Sequence, residues 1–195
     1  MPLGANKAAI MGVAGVSTVS VVLLSSQTET GVTEIDFTSG ITSTYGEYIF
    51  RCYNINPSTD SADLKVQFNV AGESGFNETI TSTHFQAYKG EADETPSLGY
   101  GAAGDQAEGT AYQYLLYDIG NGADESGAGE LHLFNPASTT YVKHFYGSFQ
   151  MYHVANHSQV MYTAGYVNVT GAIDEVSFKM STGDFDGTIK MWGVK

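Results

Sequence analysis

With one cysteine in the whole chain, Cys52, no intrachain disulfide can form, and its place in an apolar run reads as a small buried hydrophobe rather than a reactive thiol. Basic residues are scarce as well. Against 21 Asp and Glu stand 8 Lys and Arg, a formal net charge of -13. Such a chain repels phosphate backbones, which argues against nucleic acid as a partner and favours counterions or basic partners. Charged residues make up only 15% of the sequence, too few for long solvent-facing helices rich in Glu and Lys. What the chain does have is 23 Gly, 13 Tyr and 10 Phe, a balance that suits short strands and many tight turns. At 195 residues it is long enough for one domain that buries roughly 70% of its unfolded surface, and two independent cores are not expected.

The clearest signal is Leu64-Lys65-Val66-Gln67-Phe68-Asn69-Val70, apolar at every even position and polar at every odd one. This is the period-two pattern of a strand with one wet face. Upstream, Tyr48-Ile49-Phe50-Arg51-Cys52-Tyr53 reads as a more fully buried strand, and Asn54 to Ser61 between the two is dense in turn formers. Further strand signals occur at Ser20–Leu24, Val32–Phe37, Phe76–Thr83, Ala111–Ile119, Glu130–Phe134, Tyr141–Tyr152 (with a bulge) and Met161–Val169. A terminal hairpin is expected from Val176–Met180 and Thr188–Val194 around Asp184-Phe185-Asp186-Gly187. Lys89–Thr110 reads as a long loop and Gly120–Gly129 as a mobile acidic connector. The sum is an all-β chain of about ten strands with no helical crossovers, closing as an antiparallel two-sheet sandwich of jelly-roll type. Residues 1–18 form an extended Ala/Gly-rich N-terminal arm and 19–195 the single sandwich domain. Lys7 and the apolar run after it imitate a signal peptide, but glycines and hydroxyl residues dilute the run, which falls short of a membrane span.

Chemistry-bearing motifs are few. The five histidines, at positions 84, 132, 144, 153 and 157, lie in no His-Glu-x-x-His pattern and near no thiolate cluster, so surface or hydrogen-bonded roles are expected rather than a transition-metal site. Asp184 and Asp186 are weak calcium candidates, weighed against the preference of Asp-Gly for tight turns. No Gly-x-Ser-x-Gly, phosphate loop or distinctive Ser/His/Asp arrangement is present; neither a catalytic residue nor a cofactor is expected. The tyrosines suit a partner or carbohydrate surface as well as the border of a core, and the loops around Tyr100, Asp124 and Glu125 are the candidate partner surface. Three Asn-x-Ser/Thr triplets, at Asn77, Asn156 and Asn168, matter only in a eukaryotic secretory setting.

Several phrases in order carry a likeness: Leu3-Gly-Ala-Asn-Lys-Ala-Ala-Ile-Met-Gly, Tyr45 to Pro57, Leu131 to Phe145 and Phe178 to Lys195. Through them the chain resembles small virion proteins of marine tailed bacteriophages. The resemblance implies a β-sandwich structural component of the virion, without an active site, displayed as capsid decoration or as part of the tail or its fibres, and commonly assembled as a homotrimer. Docking to head or tail would run through the arm residues Leu3, Asn6, Lys7, Ile10, Met11 and Val13. Two alternatives accompany it: a host-surface glycan-binding module of the tail, and a secreted or anchored bacterial surface protein.

Overall fold

The computed structural model describes residues 20–195; the arm and its six docking candidates lie outside them. Among the described residues there is no helix, and thirteen strands follow in chain order: β1 (Val21–Val32), β2 (Glu34–Phe37), β3 (Glu47–Pro57), β4 (Ala62–Val70), β5 (Ile80–Gly90), β6 (Ser97–Tyr100), β7 (Gln106–Gly109), β8 (Gln113–Ile119), β9 (Gly127–Phe134), β10 (Lys143–His153), β11 (His157–Val167), β12 (Ile173–Met180) and β13 (Phe185–Val194). Every pairing is antiparallel. The all-β reading holds.

One long run of pairings reads β1-β13-β3-β9-β10-β11-β5, with β6 and β7 added to β5; a shorter run reads β2-β12-β4-β8. The two are hydrogen-bonded into a single network where β8 meets β10 at Ile119↔His153. The network also curls until its far ends meet, the Gln27 side chain on β1 donating to the Asp36 carbonyl on β2 at 2.8 Å. The result is nearly a barrel. Apolar side chains from both runs fill its interior: Phe50 of β3 lies edge-on to Phe37 of β2 at 5.3 Å and 5.4 Å from Phe178 of β12, and Phe68 of β4 meets Phe145 of β10 at 5.6 Å. Fully burying a side chain of this size contributes about 1.5–3 kcal/mol. Cys52 shares this core, where burial pushes its thiol far above the usual range and leaves it inert.

Several expectations are corrected. The chain does not end in a hairpin: β12 pairs with β4 and β2, β13 with β3 and β1. Asp-Phe-Asp-Gly therefore follows a crossing from one run to the other. That crossing lies against the β3–β4 crossing, with the Ser58 amide donating to the Asp184 carbonyl at 2.8 Å. Gly183, at φ +68, brings its Cα against Thr59, so that a Cβ there would sit 2.3 Å from the threonine hydroxyl. The stretch 89–110 is not one open loop, because β6 and β7 fold back onto the edge of β5. Tyr141–Tyr152 carries no bulge: β10 and β11 stay in register from Lys143↔Val167 to His153↔His157. Strand β4 has no wet face along its second half, where Gln67 and Asn69 are buried. The Gln67 amide donates to the carbonyls of Glu78, Thr110 and Ala111 at 3.0–3.2 Å, satisfying loop acceptors that would otherwise be buried unpaired.

Candidate binding surfaces

The strands β5, β6 and β11, with the adjoining face of β10, form a wing in which the usual alternation is inverted. Register places Phe85 opposite both Tyr162 and Tyr100, Ala87 opposite Val160 and Leu98, and Tyr146 opposite Ala164. All of these lie on the outer face. Leu98 is 74% exposed, Tyr100 60% and Phe85 43%. Phe85 and Tyr162 stack at 4.9 Å, and Tyr146 lies parallel to the His132 ring at 4.4 Å. Around Tyr146, Ala164 and Tyr166 the sheet carries a shallow depression of about 480 Å³. No Asp, Glu, Lys or Arg occurs from residue 144 to residue 173 or from 79 to 88. In a chain with 21 acids, that absence leaves β11 and most of β5 free of charge, with acids at the border of the face: Asp105 beside Tyr100, and Glu47 and Glu130 beside His132.

The inner face of the wing is polar along its middle, between the buried apolar residues Ile80, Met161 and Val167. Ser82 donates to Gln113 Oε1 at 2.6 Å, and Gln113 Nε2 donates to the Gly104 carbonyl at 2.7 Å and to Thr163 Oγ1 at 3.2 Å. Gln159 Nε2 donates to Gln86 Oε1 at 2.9 Å. His84 is fully buried nearby, and burial holds its imidazole below the ordinary range, partly offset by Asp105. Where this interior meets the edge of β8, a cleft of about 410 Å³ opens beside Tyr117, His153 and His157. The two histidines stack at 5.3 Å across the β10–β11 turn. His153 Nδ1 accepts the Ala155 amide at 3.0 Å, which leaves Nε2 to face Asp118 at 3.8 Å.

The other expected site residues fall as follows. Tyr100 is on the outer face of the wing, its hydroxyl donating to Asp105. Asp124 and Glu125 belong to a different surface: the Asn56 amide on β3 donates to the carbonyls of Gly122 at 3.0 Å and Glu125 at 2.5 Å, so the connector is tied down rather than loose. Asp186 Oδ1 accepts the Gly31 amide at 2.9 Å, tying the end of β1 to β13, while Asp184 is engaged through its backbone with Ser58. Among the described residues no group of three or more His, Cys, Asp or Glu is placed to hold a metal ion. His132 is paired with Glu47 at 2.5 Å, and His144 stands at the depression beside Tyr166.

The sequence does hold one signal for the wing, the two charge-free stretches. Apolar alternation could not reveal it, since alternation alone would turn Phe85 inward and His84 outward. Comparison with protein-family models and with curated proteins finds no match for this chain.

Proposed function

We propose that this chain is a non-enzymatic structural subunit of a bacteriophage particle, displayed on head or tail, and that it assembles with copies of itself through the outer face of the wing. The observation that carries the reading is the coincidence of exposed aromatic residues with strand stretches, 79–88 and 144–173, that carry no charge. Contiguous exposed apolar surface marks interaction sites. Two copies that each carry -13 repel wherever acids meet, so these uncharged stretches are where a second copy can approach at least electrostatic cost. The phrase-by-phrase likeness to small phage virion proteins supplies the setting, and symmetric assembly is the common habit of such subunits.

Light scattering on the full chain tests the assembly. The expected mass is a multiple of the 20.8 kDa subunit, three copies for a trimer, and Phe85→Glu with Tyr162→Glu is expected to return it to one. A wild-type chain that stays at single-subunit mass at high micromolar concentration overturns the reading. For the setting, an antibody to this chain is expected to label purified particles on head or tail, and unlabelled particles reject it.

A further inference from the structure

Of the buried groups that could take up a proton, His84 is the one with no partner for it. Its side chain is fully buried on β5 and neither ring nitrogen has a hydrogen-bond partner. The Tyr117 ring meets the imidazole edge to face at 5.5 Å, its hydroxyl likewise unpartnered. A neutral imidazole tolerates such a place. An imidazolium does not, since it adds a second N–H and a full charge where no acceptor is in contact. The groups facing the ring offer little help. Asp105 favours the proton by its charge but makes no contact with the ring; from β8 comes Tyr117, held neutral by burial, and from β11, opposite in register, comes Thr163, which does not titrate. His153 and His157 stand farther off, in the cleft lined by Gly101–Ala103 and Tyr117.

What covers the ring is the most weakly held part of the wing. Gly101–Gly104 lies against the imidazole with backbone alone: a Cβ on Gly101 or Gly104 would stand 2.6 or 2.8 Å from the ring. The segment joins the two short strands at the wing's outer edge. β6 is exposed along its length and pairs with β5 over four residues, and β7 meets β5 at Ile80↔Gly109 and Ser82↔Gln106. Between them, the Gly101 amide donates to the His84 carbonyl at 2.8 Å and the Gly104 carbonyl accepts from Gln113 at 2.7 Å. No residue from 97 to 109 belongs to the apolar core. Segments held by edge hydrogen bonds with little apolar burial open at far less than the cost of global unfolding. We infer that Gly101–Asp105, with the β6 and β7 strands that carry it, is an acid-operated flap: protonation of His84 drives it off the ring, and the imidazolium gains water. The flap carries Leu98 and Tyr100, so acid also withdraws two exposed apolar residues from the outer face. That consequence rests on the assembly reading; the opening itself does not.

Amide hydrogen exchange on the full-length chain, corrected for the intrinsic effect of pH, reads the flap directly. One proton taken up only in the open form multiplies opening by at most about tenfold per pH unit. Between pH 7 and pH 5 a rise of at least about fivefold is expected at Gly101–Asp105, with the amides of β3 unchanged. The rise should vanish in His84→Leu and persist in His153→Asn, which alters the neighbouring histidine instead. A second readout needs no substitution: the His84 ring-proton resonance of the wild-type chain should titrate over the same pH range as the exchange. Exchange at Gly101–Asp105 that ignores pH, that rises equally in His84→Leu, that rises only together with β3, or that runs out of step with the His84 resonance each overturns the proposal.

Discussion

Two groups of aromatic residues in this chain sit in opposite surroundings. In the closed body, Phe37, Phe50 and Phe178 come from three strands and meet out of contact with water, Phe37 edge-on to the other two and those two tilted against each other. In the wing, Phe85, Tyr100, Tyr162 and Tyr146 face solvent, while Ser82, His84, Gln113 and Thr163 occupy the interior. The body spends its rings on folding. The wing instead holds its strands together by ladder hydrogen bonds and a buried amide network, which leaves its rings free for contact outside the chain. A domain that only needed to fold would gain by burying Phe85 and exposing His84, and the proposed assembly rests on this inversion.

The comparison breaks most visibly in the body. Phe50→Ala, at a fully buried ring touching two others, is expected to destabilise by about 3–5 kcal/mol, read from the shift in denaturant midpoint. A loss below about 1 kcal/mol would mean that the body is not the main source of stability. Next comes the wing interior. Gln113→Leu keeps the size of the side chain but strands Ser82, Thr163 and the Gly104 carbonyl, for an expected loss of about 1–3 kcal/mol. A neutral or stabilising leucine in the same denaturation assay would show an ordinary apolar core there, and the contrast between the regions would go.

How much of this was legible beforehand depended on which face a residue pattern could assign. The alternation of Leu64, Val66, Phe68 and Val70 marked β4 because its apolar side does face the core. The odd positions misled, since Gln67 and Asn69 are buried by loop segments that come from elsewhere in the chain. Asp186-Gly187 looked like a hairpin turn, yet whether β12 and β13 pair is decided by which strands already occupy their edges, a long-range matter that no dipeptide encodes. Tyr100 lies on the wing, whereas Asp124 and Glu125 sit apart from it in a connector whose Gly122 and Glu125 carbonyls are held by Asn56 on β3. The cleft was invisible because its lining comes from separate stretches, Gln86–Tyr88, Gly101–Ala103, Tyr117–Asp118 and His153–Gln159, brought together by the β5–β11 register.

Acidity probes the wing through His84. Burial keeps its folded-state pKa below the ordinary 6.5. Above that value both folded and unfolded chains hold it neutral, and stability owes it no pH dependence. As pH falls through 6.5 the unfolded chain takes up a proton that the folded chain refuses, so stability drops, by at most about 1.4 kcal/mol per pH unit for one group, until the folded-state pKa is reached. His153 is shifted the same way, chiefly by burial, and shares the slope. Denaturation curves between pH 7 and 5 should therefore flatten in His84→Leu by up to one proton's worth, and an unchanged slope would mean that His84 is reached by water or ionised in the fold.

The smallest effect is expected on the outer face of the wing. Tyr162→Ser removes an exposed ring whose main partner is Phe85, stacked at 4.9 Å on the neighbouring strand, and a cross-strand pair of this kind contributes about 0.2–1 kcal/mol. Measured on the dissociated subunit, its loss should stay within that range, several-fold below the cost of Phe50→Ala. If Tyr162→Ser instead matches Phe50→Ala in denaturant midpoint, the outer rings are part of the folding core, and the outer face is not held in reserve for a partner.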